Sequence, residues 1–253
     1  MSKTLLEIEE RFENQLKSIE ELANFDRFIL DFCINHIQSL NERLRAGPPE
    51  ITNQYYLAEN TLKSIRAIRE NDSLRINYQS IFNSCLVLQV SYFTSTLNDL
   101  FKHAFQFLAE RGLLPEIKDD LKLTFKELED VSFNLTSNIA EIILKKKEIS
   151  FQDMQSICKV YKHYFDIDIE KDTQCNMIIL AQASRHAIVH SLGKADERFL
   201  KQISAAYPRD LKQDFVLDQE IKFSSSELEF IKFAMLVFVQ ELREKFAIKY
   251  SIE

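Results

Sequence analysis

The feature that most limits the architecture of this chain is its punctuation: three glycines and four prolines in 253 residues. Gly47, Gly112 and Gly193 each follow a long stretch in which apolar residues recur at helical spacing, where a left-handed cap is wanted. Pro48, Pro49 and Pro115 stand just behind two of those glycines, and Pro208 falls in a short polar connection. None of them interrupts a periodic run. The pattern predicts an all-α protein with at most one short extended segment, near 214–223.

From Thr4 to Arg45 apolar residues recur at helical spacing (Leu5, Ile8, Phe12, Leu16, Ile19, Leu22, Phe25, Ile29, Phe32), which predicts one long amphipathic helix with room for a kink. A second helix is expected from 52 to 71, closed by the polar Asn71-Asp72-Ser73 turn. Together they read as an N-terminal helical hairpin over 1–72, ahead of a main helical domain over 73–253. That domain opens with a helix from 74 to 111 whose residues 76–98 carry no formal charge. Asn77, Gln79, Asn83, Ser84, Gln89, Ser91, Ser95 and Asn98 are spread through it, so it reads as a bundle helix buried on several sides and not as a membrane span. Further helices are expected at 116–129, 131–147, 151–165, 173–192 and 195–206. A last one is opened by Ser224 and Glu227 at capping-box spacing. There is no internal repeat and no low-complexity tract.

Composition excludes several classes. A net charge of −7 argues against a surface that coats nucleic acid broadly, because such binding is driven by Lys and Arg meeting phosphates. The charge is not uniform: 185–212 holds six basic residues (Arg185, Lys194, Arg198, Lys201, Arg209, Lys212) against Asp196, Glu197 and Asp210, a local +3. The charged N-terminus lacks the apolar stretch of a secretory signal, which points to the cytoplasm. Cys33, Cys85, Cys158 and Cys175 have no close pairing and read as small core residues in a reducing compartment. Lys145-Lys146-Lys147 suits a helix C-terminus, and the 20 phenylalanines, set among aliphatics, suit a core. No phosphate loop, nucleophile elbow or paired-carboxylate arrangement is present.

Chemistry concentrates in Arg185-His186-Ala187-Ile188-Val189-His190. Arg185 and His190 are separated by about 140° of helical rotation and about 7.5 Å of rise, so they share no narrow face. A long Arg side chain and a His leaning toward the helix N-terminus can still border one cleft. His190 also lies in the last turn before Gly193, where unpaired carbonyls favour a cation. His186 and His190, four apart, have the spacing of a two-histidine metal site, but no Glu stands between them and the nearest acids lie beyond Gly193. The expectation is therefore no metal and no cofactor. A plain reading also remains open, with Arg185 in a surface ion pair and His190 capping carbonyls.

An Arg, a polar residue, three more residues and a His near a helix end resembles the signature of the HEPN superfamily of helical-bundle ribonucleases, in particular the RiboL-PSP-HEPN type. The resemblance covers roughly 75–250 and takes in Tyr92-Phe93 and Leu97-Asn98-Asp99-Leu100-Phe101 on the uncharged helix. It continues through Gly193-Lys194-Ala195-Asp196-Glu197-Arg198-Phe199 and the Glu220-Ile221-Lys222-Phe223-Ser224 lead-in. It implies a HEPN-like bundle and a metal-independent endoribonuclease of toxin or antiviral-defence type. His190 would be the general acid or base, Arg185 the phosphate clamp and His186 a supporting polar group. Lys194, Arg198 and Lys201 become candidate RNA contacts. The resemblance further implies an RNA substrate attacked by its own 2′-hydroxyl, a homodimer with two motifs facing one cleft, and a protein antitoxin or inhibitor. The alternative is a noncatalytic dimerisation or adaptor module that uses the N-terminal hairpin to bind a protein partner.

Overall fold

The computed structural model describes residues 4–46, 52–75, 78–114, 121–204 and 215–251. Within them the chain is all-α, with ten helices: α1 (Leu5–Ala23), α2 (Phe25–Arg45), α3 (Thr52–Glu70), α4 (Gln79–Glu110), α5 (Phe125–Asp130), α6 (Leu135–Lys146), α7 (Met154–Phe165), α8 (Thr173–His190), α9 (Glu197–Ser204) and α10 (Ser225–Tyr250). The expected stops at Gly47, Pro48, Pro49, Pro115 and Pro208, the expected helical start at 116–120, and the basic residues Arg209 and Lys212 lie outside the described residues.

The largely uncharged helix α4 is the axis of the bundle. Its buried residues (among them Phe82, Leu86, Val90, Phe93, Leu97, Phe101, Phe105 and Leu108) recur every three or four positions around most of its girth, and α1, α6, α8 and α10 pack on it. At its C-terminal half aromatic rings converge. Phe101 meets Phe105, Tyr164 and Phe165, and Phe246 of α10 meets Phe165 edge-on at 4.9 Å. The Tyr161 hydroxyl, inside this cluster, donates to the Leu97 carbonyl at 2.8 Å.

Caps fall where the sequence expects them. Ser224 and Glu227 form the reciprocal capping box of α10, and Asp172 caps α8 by accepting from the Cys175 amide at 2.7 Å. Gly112 and Gly193 have φ of 66° and 75°, the left-handed positions expected of them. Residues 193–195 pair with 218–221 through a single antiparallel bridge, Lys194 with Glu220, which is the short extended segment. All four cysteines are free; Cys85 and Cys175 are buried, whereas Cys33 and Cys158 are half-buried. Lys146, at the end of α6, is ion-paired with Glu127.

The N-terminal region departs from expectation in two ways. The run from Thr4 to Arg45 is broken at Asn24, and the two halves have different fates. α1 packs on α4 and α10, with Arg11 paired to Asp99, Arg243 to Glu9, and Lys232 to Glu20 at 2.8 Å, so it belongs to the body. Only α2 and α3 form the projecting hairpin. The apolar stripe changes character at the same point: Leu5, Ile8, Phe12, Leu16 and Ile19 are buried, while Leu22, Phe25, Ile29 and Phe32 are exposed.

No glycine or proline makes the break at Asn24. The break is clamped by Arg75, just ahead of α4, whose guanidinium donates to the Ala23 carbonyl (3.2 Å), the Asn24 side chain (3.0 Å) and both carboxylate oxygens of Asp26 (3.0 and 3.2 Å). The Arg75 and Asp26 side chains are only 9% and 5% exposed. Removing one member of such a pair strands the other charge. Arg75→Ala is therefore expected to lower unfolding stability by about 3 kcal/mol. Chemical denaturation checks this, and a loss below about 1 kcal/mol would contradict the clamp.

Candidate functional site

α8 carries its function at one end because the rest of it is buried. Ile178, Ala181, Ala183, Ser184 and Ala187 are fully enclosed, and their small side chains let α8 lie close to α4 and α10. Polar side chains reach solvent from this helix at its first turn, through Thr173 and Gln174, and at its last turns. Arg185 and His186 are half-buried and His190 is exposed.

Four segments meet there around a cleft of about 300 Å³. α4 supplies Val90, Ser91 and Thr94, and the segment entering α7 supplies Ser150, Gln152 and Asp153. α8 supplies Gln182, Arg185 and His186, and α9 supplies Arg198 and Gln202. Several of the hydroxyls and acids are already engaged: Ser91 donates to the Val87 carbonyl, Thr94 to the Phe151 carbonyl, and Asp153 caps α7 through the Ser156 amide. Arg185 and Arg198 form no ion pair among the described residues, so two guanidinium groups face the cleft with their charge uncommitted. That combination favours an anion.

Asp196 holds the two halves of this arrangement in register. It accepts from the Ser191 hydroxyl at the end of α8 and from the Phe199 amide at the start of α9, at 2.7 Å, and so sets where Arg198 enters. These hydrogen bonds, the Ser191 hydroxyl first, hold its carboxyl below the usual range, with help from the nearby His186 and Arg198. Just beyond α8 the chain turns through Leu192 and Gly193, both left-handed, with φ of 54° and 75°.

The two histidines occupy different places. His186 lines the cleft, whereas His190 stands beside it at the exposed helix end, its ring 4.7 Å from that of His186 and tilted by 41°. His186 is held below its ordinary pKa, chiefly by burial and then by the positive fields of Arg198 and His190, against a smaller opposing pull from Asp196. These causes favour the neutral form of the imidazole over the imidazolium. No group of three His, Cys, Asp or Glu side chains with metal-site geometry occurs among the described residues.

The candidate RNA contacts Lys194, Arg198 and Lys201 are all exposed, and of the three only Arg198 lines the cleft. The structure adds Gln182 and Gln202, which sequence reasoning passes over. Gln182 precedes Arg185 by one helical turn, the only sequence signal that placed it near the site.

No family model, curated protein or solved structure matches the chain. Its geometry alone describes it: a polar cleft lined by Arg185, His186 and Arg198. No helix among the described residues is long and apolar enough to cross a membrane.

The electrostatic arrangement has a direct check. In an NMR titration the His186 ring should have its midpoint below the ordinary 6.5. Arg198→Ala removes a cation that disfavours the imidazolium, so the midpoint should move up. An unmoved midpoint would place the Arg198 charge away from His186.

Proposed function

We propose that the chain is a metal-independent endoribonuclease of the HEPN type, acting on RNA at the Arg185–His190 end of α8. The observation that carries this reading is the conjunction, in one cleft, of His186 and two guanidinium groups, Arg185 and Arg198, that form no ion pair among the described residues. A phosphodiester is the anion that makes use of both. Arg185 and Arg198 would hold the phosphate oxygens and stabilise charge as it develops on them. A neutral imidazole would take the 2′-hydroxyl proton as that oxygen attacks phosphorus. The bond to the 5′-oxygen breaks, and a protonated group returns a proton to it, leaving a 2′,3′-cyclic phosphate and a 5′-hydroxyl.

Such displacement runs in line, so the proton acceptor and the proton donor stand on opposite sides of phosphorus. His186 and His190 lie side by side on one helix and serve one side only. A second copy of the chain, bringing its own motif to the opposite side, would complete the site. Supporting this, two apolar side chains next to His190 are bare: Val189 is 48% exposed and Leu192, held left-handed, is 93% exposed. A toxin or antiviral-defence role, with an inhibitory protein partner in the cytoplasm, accompanies this reading through the HEPN resemblance.

One observation favours a second reading, a noncatalytic adaptor. Phe25, Phe28, Ile29 and Phe32 form an exposed apolar stripe along α2, on the projecting hairpin, of the kind that a protein partner covers.

Incubation with RNA in the presence of chelator separates the two. The wild-type protein should cleave RNA and spare DNA of the same sequence. Arg185→Ala, His186→Ala and His190→Ala should each lose about 100-fold or more in rate. Equal cleavage by all four proteins would place the activity elsewhere, and an inert wild type would favour the adaptor. Leu192→Glu tests the shared site. By sedimentation the dimer should fall to monomer, with cleavage lost and the helical content retained; a variant that stays dimeric and active would refute the facing-motif arrangement.

A further inference from the structure

The cleft holds a polar feature that neither phosphate binding nor proton transfer uses. Among the described residues nine buried side-chain nitrogen and oxygen atoms have no hydrogen-bond partner. Three of them belong to this cleft: Nε2 and Oε1 of Gln182, and Oε1 of Gln202. Gln182 is 4% exposed, so its whole carboxamide is withdrawn from bulk water with neither end paired. An amide left in this way costs stability, and a protein that retains one usually completes it with a bound group.

The site shows what that group offers. The cleft volume, about 300 Å³, is on the order of ten waters' worth of liquid, far beyond what one bridging water needs. Gln182 sits one turn before Arg185 on α8, so a ligand anchored by its phosphate on Arg185 and Arg198 extends past this carboxamide. A carboxamide presents a donor and an acceptor side by side. Nucleobases carry the complementary adjacent pair fixed along their rigid edges, whereas ribose offers hydroxyls that rotate and serve as either donor or acceptor, and phosphate offers acceptors alone.

We propose that Gln182 is a specificity-determining residue that reads the edge of the base next to the phosphate held by Arg185 and Arg198, with Gln202 completing the polar wall. This rests on the ribonuclease reading for the source of the base, an RNA strand. The recognition chemistry is the same for a free nucleotide, and the measurements below tell the two sources apart.

The test compares wild type with Gln182→Met, which keeps length and volume but removes the carboxamide. The probes are nucleoside 3′-monophosphates and ribose 5-phosphate, which has sugar and phosphate but no base, both followed by calorimetry. The wild type should bind the nucleotides more tightly than ribose 5-phosphate. Gln182→Met should weaken nucleotide binding about tenfold or more while leaving ribose 5-phosphate unchanged. Arg185→Ala should weaken both. Because the Gln182 amide makes no hydrogen bond among the described residues, the melting temperature of Gln182→Met should equal or exceed that of wild type. A variant that melts lower or fails to fold would mean that the residue is structural, and would overturn the proposal, as would equal weakening of both ligands or of neither.

Mapping cut sites in RNA separates this inference from the reading beneath it. A base preference beside the cut that flattens in Gln182→Met supports both. Cleavage with an unchanged preference in Gln182→Met overturns the inference and leaves the ribonuclease standing. Nucleotide binding that depends on Gln182 in a protein that cuts no RNA upholds the recognition role, assigns it to free nucleotides, and ends the ribonuclease reading.

Discussion

Everything at the candidate site depends on the close packing of α8 against α4 and α10. Ala181, Ala183, Ser184 and Ala187 have almost no side chain to hold the helices apart, so α8 is enclosed over most of its length and its backbone is fixed. A helix buried in this way can present chemistry only where it emerges. Arg185, His186 and His190 lie at that exit, and Asp196 links the end of α8 to the start of α9, which carries Arg198. The positions of the two guanidinium groups are thus set by the rigid bundle and one carboxylate, not by a mobile loop.

The same enclosure governs the electrostatics. The chain is acidic overall, with a net charge of −7, yet the cleft gathers Arg185 and Arg198 while its nearby acids are occupied. Asp153 caps α7 and Asp196 caps α9, so neither neutralises the arginines by direct pairing. Burial first, and then the positive fields of Arg198 and His190, lower the pKa of His186. The positive field that favours an anion in the cleft is thus also one that disfavours the imidazolium of His186.

Much of this was legible in the sequence, for identifiable reasons. Glycine and proline placement and the three-to-four-residue spacing of apolar side chains report on local backbone energetics, and they mark the all-α class, the axis α4, the Ser224 cap and the turn at Gly193. The break at Asn24 is different in kind. It is clamped by Arg75, some fifty residues away in sequence, and no local signal announces a hydrogen-bond clamp between remote segments. For the same reason a continuous stripe from Leu5 to Phe32 hides the change from buried to exposed at Leu22. At the site, Arg185 and His186 stand out by residue type, but Gln182 looks like any polar residue in a helix until its burial and unpaired amide are seen.

The central claim is that Arg185, His186 and Arg198 form a site for phosphodiester cleavage by an RNA's own 2′-hydroxyl. The chemistry of the product ends tests it most directly. Mass spectrometry of a short RNA cut in chelator should find a 2′,3′-cyclic phosphate on one fragment and a 5′-hydroxyl on the other, and a substrate with a single 2′-deoxy residue at the cut should survive there. A 3′-hydroxyl with a 5′-phosphate, or undiminished cutting at the deoxy position, would contradict the account.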